Sequence, residues 1–236
     1  MHTRAHGPGG PRTPRVRRRE GVITSSSAPS RLWARVARDR YGTDYARGYA
    51  ARFDELAAEG EDLDGEARLV RRLLPPPARV LDAGCGTGRV SVRLAGWGYD
   101  VVGCDVDATM VEEARARCPG VEFHAADLAG LRPAAIGGPV DLVLLAGNVV
   151  PLLEPGSLVA AAQGVAAVLR PGGVLLAGFG LGQEHLPEGC PPLPWAAVED
   201  ACRVAGLRTE DRWSTWAGDP AGVDDGYVVA RWRREG

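Results

Sequence analysis

Val80-Leu81-Asp82-Ala83-Gly84-Cys85-Gly86-Thr87-Gly88-Arg89-Val90 is the stretch on which the reading of this chain turns. A short apolar run, Arg79-Val80-Leu81, suits a buried strand. An acid follows, then three glycines, then the start of a helix. Glycines let the backbone turn sharply and let a ligand approach it closely. A lone glycine triplet is a weak signal, but a strand–loop–helix setting is the context in which such a turn binds a nucleotide.

Outward from this loop, apolar runs alternate with helical stripes. Downstream stand Val101-Val102-Gly103-Cys104, a helix over about Ala108–Arg117 with Asp107 as its N-cap, and Val121-Glu122-Phe123. A fourth run, Val140–Ala146, precedes a helical face of Leu158, Ala162, Val165, Ala166 and Leu169, closed by Pro171-Gly172-Gly173. A fifth run is Val174–Phe179. A helix over about Trp195–Ala205 leads to two closing strands, Leu207–Trp216 and Tyr227–Trp232. Upstream, Leu69, Val70, Leu73 and Leu74 form a stripe that stops at Pro75-Pro76-Pro77. Arg31–Leu56 reads as one helical stretch carrying Trp33, Val36, Tyr41, Tyr45, Tyr49 and Phe53. Strands alternating with helices imply an α/β fold, a parallel sheet covered on both faces. The last two strands have no helix between them, so at least one runs antiparallel. Ligands of such sheets bind at the carboxyl ends of the strands.

The composition agrees. The chain has 236 residues, 45% apolar and 25% charged, with a net charge of −2. That suits a soluble globular domain and excludes a wholly disordered chain. No apolar run approaches the roughly 18–20 residues of a membrane-spanning helix. All 28 basic residues are arginine, so Schiff-base and P-loop lysine chemistry is absent. Cys85, Cys104, Cys118, Cys190 and Cys202 form no CxxC pair, and His2, His6, His124 and His185 are dispersed, so no metal signature appears. An odd cysteine count suits a reducing cytoplasm. Residues 1–30 hold six arginines against Glu20 alone, with many Gly, Pro and Ser, and read as a disordered basic tail. The body, residues 31–236, then carries −7, a poor balance for nucleic-acid binding.

Three acids sharpen the glycine loop. Asp82 precedes it; a carboxylate there would repel a pyrophosphate and attract a cation, which favours S-adenosylmethionine, with its sulfonium and ammonium, over NAD. Asp105 ends the second strand, where an acid accepts hydrogen bonds from ribose hydroxyls and disfavours the 2′-phosphate of NADP. Asp127, after the third strand, suits the amino group of an adenine.

With these residues in place, the chain resembles the class I S-adenosylmethionine-dependent methyltransferases of the small-molecule type. The family's first motif falls on residues 80–90, and its Arg-Pro-Gly-Gly turn before the fifth strand on Arg170–Gly173. The resemblance implies a Rossmann-like seven-stranded sheet in the order 3-2-1-4-5-7-6, strand 7 antiparallel, with an N-terminal helical cap over about residues 31–74. It implies S-adenosylmethionine as cofactor, held by Asp82, Gly84, Cys85, Gly86 and Gly88, by Asp105 and Val106, by Ala126, Asp127 and Leu128, and by Asn148 at the end of the fourth strand. Tyr41 and Tyr45 in the cap and His185 after the fifth strand are the candidates for touching the acceptor. No catalytic base stands out. The implied partner is a small-molecule methyl acceptor, with no nucleic acid and no membrane, in a cytoplasmic monomer or homodimer. Two other readings compete: a non-catalytic S-adenosylmethionine-binding regulator, which would lack an acceptor pocket, and an NAD-dependent oxidoreductase, against which Asp82 and the absence of lysine count.

Overall fold

The computed structural model describes residues 31–222 and 225–236; the basic tail lies outside them. Among the described residues the chain forms seven strands and seven α-helices. Helices α1 (Arg31–Tyr41), α2 (Tyr45–Ala58) and α3 (Gly65–Leu73) precede β1 (Arg79–Ala83). Then follow α4 (Arg89–Gly96), β2 (Asp100–Asp105), α5 (Ala108–Arg117), β3 (Glu122–Ala125) and β4 (Val140–Leu145). The chain ends with α6 (Leu158–Val168), β5 (Leu169–Gly180), α7 (Trp195–Val204), β6 (Leu207–Trp213) and β7 (Tyr227–Arg234).

The strands form one sheet in the order β3-β2-β1-β4-β5-β7-β6. β1 pairs in parallel with β2 on one side and β4 on the other. β7 runs antiparallel to both β5 and β6, as two strands with no intervening helix require. The chain reverses its direction of travel across the sheet between β1 and β4, which is where an open α/β sheet leaves a crevice.

Alternate residues of the strands feed two cores. Leu81, Val102, Val143, Leu175 and Trp232 pack with Val165 of α6 and Val198 of α7. Val80, Val101, Leu142, Leu176 and Val229 pack on the other face with Leu69 and Val70 of α3 and Leu94 of α4. Each such leucine or valine contributes roughly 1.5–3 kcal/mol by leaving water. α1 and α2 lie over the carboxyl edge of the sheet. Leu32 and Val36 pack on Leu186 and Cys190, while Ala37, Tyr45 and Ala46 pack on Met110 of α5.

Several element boundaries differ from the sequence reading: β5 begins at Leu169 where Val174 was expected, β6 ends at Trp213 where Trp216 was expected, and two helices differ. The single helix expected over Arg31–Leu56 is two. Gly42 has φ 77° and donates its N–H to Arg38 O at 2.9 Å, a left-handed cap that ends α1 and turns the chain into α2. The helix expected to run to Leu169 stops at Val168, because Leu169 already pairs with Val140 of β4. No helix among the described residues is long and apolar enough to cross a membrane.

Candidate functional site

The glycine loop is fastened to the neighbouring strand. Gly84 and Cys85 both donate their N–H groups to Cys104 O, at 2.7 and 3.0 Å, and Gly88 N–H reaches Cys85 O at 2.9 Å. Gly84 has φ 74°, and a Cβ there would overlap the side chain of Val149. Both its conformation and the approach of the β4 loop therefore require glycine.

Asp105 sits opposite the loop at the end of β2. Its Oδ2 accepts the Gly86 N–H at 2.9 Å and its Oδ1 accepts the Asp107 N–H at 3.0 Å. Burial pushes its carboxyl up to about 6, against the pull of those two donors. A carboxylate has roughly four acceptor positions, so each oxygen keeps one beyond these bonds. Asp127 uses Oδ1 to cap the following turn, accepting the Ala129 N–H at 2.9 Å.

Above these groups lies a cavity of about 560 Å³. Its floor is Gly84, Gly86, Asp105 and Val106. Ala126, Asp127 and Leu128 close one end; Ala146–Val149, after β4, close another. The roof comes from α1 and α2: Trp33, Val36 and Arg40, then Tyr41, Tyr49 and Phe53. Leu152–Glu154, Ser157 and Pro187 complete the wall. The roof rings lean on one another edge-on, with Tyr49 5.6 Å from Tyr41 and 6.4 Å from Trp33. Burial pushes the Tyr49 phenol up to about 12, so it stays protonated. Among the described residues, Arg40 is the only basic side chain in the lining, against Asp105, Asp127 and Glu154.

The structure brings together nine of the residues singled out from sequence: Gly84, Gly86, Asp105, Val106, Ala126, Asp127, Leu128, Asn148 and Tyr41 all line the cavity. Five do not. Asp82 is 2% exposed and faces α4, where it accepts the Ser91 hydroxyl at 2.6 Å; burial pushes its carboxyl up to about 6. Cys85 turns into a small core with Phe123 and Val111, and Gly88 backs onto Phe123 and Cys118. Tyr45 points its hydroxyl at Asp107. His185 lies beside the Tyr227 ring at 5.8 Å, outside the lining. Asn148 lines the cavity, yet both ends of its amide are engaged: Oδ1 accepts the Gly180 N–H at 2.7 Å and Nδ2 donates to His185 O at 2.9 Å. With φ 67°, it clamps the β4 loop to the end of β5, and these two bonds fix the orientation of its amide.

Several lining residues were not singled out. Trp33, Val36 and Arg40 recur at the i, i+3, i+7 spacing of one helix face, and Tyr49 and Phe53 at i, i+4; that periodicity could have paired them. Leu152, Glu154, Ser157 and Pro187 reach the cavity only through loop geometry, which leaves no pattern in sequence.

Comparison with known proteins agrees with this geometry. Residues 80–173 match the family model described as a methyltransferase domain. A TehB-like SAM-dependent methyltransferase from Corynebacterium glutamicum is 29% identical, with a TM-score of 0.72 over 81% of this chain and 98% of that one. A magnesium-protoporphyrin O-methyltransferase from Rhodobacter capsulatus is 34% identical over 42% of this chain and 44% of its own length. A trans-aconitate 2-methyltransferase from Methylobacterium nodulans is 40% identical over 34% of this chain and 30% of its own length. A tRNA 5-carboxymethoxyuridine methyltransferase from Escherichia coli is 36% identical over 42% of this chain and 38% of its own length. The chain thus spans less than half the length of these curated relatives. The chain thus carries a methyltransferase domain over residues 80–173, set in a sheet with the strand order expected of the class I S-adenosylmethionine-dependent methyltransferases.

Proposed function

We propose that this protein transfers the methyl group of S-adenosylmethionine to a small-molecule acceptor bound in the same cavity. The observation that carries the reading is the roofed cavity itself. Its volume of about 560 Å³ falls in the roughly 300–1,000 Å³ range of small-molecule sites. Helices α1 and α2 cover it, and among the described residues three carboxylates line it against one arginine, a field that suits a cationic donor and opposes a polyanion. One of the relatives acts on tRNA by its name; this lining favours a small acceptor instead.

The residues present fit the cofactor. Asp105 would hold the ribose hydroxyls on its remaining acceptor positions, Asp127 the adenine amino group on its second oxygen, with Ala126 and Leu128 flanking the ring. Gly84 and Gly86 present bare backbone to the amino-acid portion. Bound S-adenosylmethionine would supply an electrophilic methyl: an acceptor lone pair would form the new bond to that carbon as the S–C bond breaks, with S-adenosylhomocysteine as the leaving group. Much of the rate comes from holding acceptor and methyl about 3–3.5 Å apart and in line, and the aromatic roof of α1 and α2 keeps water out. An acceptor atom that enters with its lone pair available needs no general base. The five thiols, all buried and unpaired, fit a reducing cytoplasm.

The test is product formation. The protein is incubated with S-adenosylmethionine labelled in its methyl group and a metabolite extract, and small molecules are separated from RNA. Label in a low-mass product, with stoichiometric S-adenosylhomocysteine, is the expected result. Label confined to RNA, or none, overturns the reading.

A further inference from the structure

We infer that Asp107 is a latch through which the roof helices hold a bound adenosyl ligand; the inference rests on the cofactor reading above. Asp107 is 2% exposed and its carboxylate serves three donors. Oδ1 accepts the Thr109 N–H at 2.9 Å and so caps α5. Oδ2 accepts the Tyr45 hydroxyl at 2.5 Å and the Trp33 indole N–H at 3.0 Å. A helix cap needs only the first bond. The second oxygen is given over to two side chains from two other helices, 62 and 74 residues away in sequence.

The same residue reaches the binding floor. Its own N–H is held by Asp105 Oδ1 at 3.0 Å, and Asp105 Oδ2 holds the Gly86 N–H at 2.9 Å. One continuous chain of bonds therefore runs from the roof rings through Asp107 and Asp105 to the glycine loop. Trp33 is part of the cavity lining, and Tyr45 stands 6.4 Å from it, edge-on. A ligand in this cavity lies under the roof, so the seating of α1 and α2 bears on how fast it leaves. Outside the latch, Tyr45, Ala37 and Ala46 meet α5 through Met110, Leu32 and Val36 meet Leu186 and Cys190, and Arg117 of α5 pairs with Asp54 of α2 at the surface. The apolar contacts are non-directional, and the exposed ion pair is weakened by water. The two bonds to Asp107 are directional and made to a charged acceptor, the stronger kind, and they set where the roof rests over the ribose acid. Asp107 is thus a positioning residue, acting through Asp105 and the roof.

The experiment measures the dissociation rate of S-adenosylhomocysteine by stopped flow, with hydrogen exchange of residues 31–58 read with and without ligand. Tyr45→Phe and Trp33→Phe each remove one donor and keep a ring in place. The expected result is a rate at least tenfold faster in each variant, with ligand-induced protection of α1 and α2 diminished and exchange of the β1 and β4 amides unchanged. Asp107→Asn keeps an oxygen for the α5 cap, and its effect should not add to that of Tyr45→Phe. Dissociation within twofold of wild type in both ring variants overturns the latch. Wild-type protein that binds no S-adenosylhomocysteine overturns the cofactor reading instead, so the two failures are distinct. Should Tyr45→Phe fail to fold, Asp107→Asn decides by the same criterion, because Asp107 is outside the cavity lining whereas Trp33 is part of it.

Discussion

Replacing Asp105 with alanine should weaken S-adenosylhomocysteine binding about a hundredfold. In the structure this carboxylate is held by the Gly86 and Asp107 N–H groups and lines the cavity. Two ribose hydroxyls bound to it would each contribute roughly 1.5–3 kcal/mol, the value of a hydrogen bond to a charged group. In the variant water replaces part of that, so the net loss sits near the lower sum, about 3 kcal/mol, or two decades in affinity. Asp105→Asn keeps one acceptor oxygen and should lose about tenfold by the same arithmetic. Isothermal titration at pH 7.5 reads both. The pH dependence supplies a second arm. The carboxyl titrates near about 6 in the free protein, and hydroxyl donors favour its ionised form. Wild-type affinity should therefore rise with pH through about 6 and level off above, while Asp105→Asn stays flat there. A folded Asp105→Ala protein that binds within threefold of wild type would refute the reasoning.

Asp82→Asn should stabilise the free protein at neutral pH. The folded pKa of about 6 lies above the ordinary carboxylate value, so this group's stabilising contribution is full near pH 4 and lost as pH rises through about 6. The variant lacks that loss, and its advantage in urea unfolding should grow by roughly 3 kcal/mol between pH 4 and 7. Because Asp82 faces Ser91 and not the cavity, its effect on S-adenosylhomocysteine affinity should be smaller than that of Asp105→Ala. Gly164→Ala should lower the unfolding free energy by about 1–3 kcal/mol or more, since a Cβ there would overlap the Leu128 carbonyl where α6 crosses the adenine side of the cavity. Gly84→Ala should abolish cofactor binding while leaving the far sheet edge at β6 and β7 intact by hydrogen exchange, as its Cβ would drive Val149 and the β4 loop away.

The parts of the fold visible in sequence are those governed by local rules. Continuous apolar runs marked β1, β2, β4 and β5 because strands buried on both faces need no alternation. Asp107 reads as an N-cap from its place before Ala108, and it is one. What escaped lay in long-range geometry. Asp82, beside the glycines in sequence, was read as facing the ligand; strand alternation and Ser91 turn it to the far side of the loop. Tyr45 was read as touching an acceptor, and the N-cap of α5, 62 residues away, claims its hydroxyl. His185 was read as reaching the acceptor, but the path of the chain after β5 lays it beside Tyr227. No single-residue pattern reveals such pairings, because they are set by which elements the sheet order brings together.

A crystal structure with S-adenosylhomocysteine tests the central claim most directly. The account predicts ribose oxygens on Asp105, adenine between Ala126 and Leu128 near Asp127, and the sulfur facing the Ala146–Val149 loop with open cavity beyond it. Density at another place on the surface, or an empty cavity at saturating ligand, would contradict it.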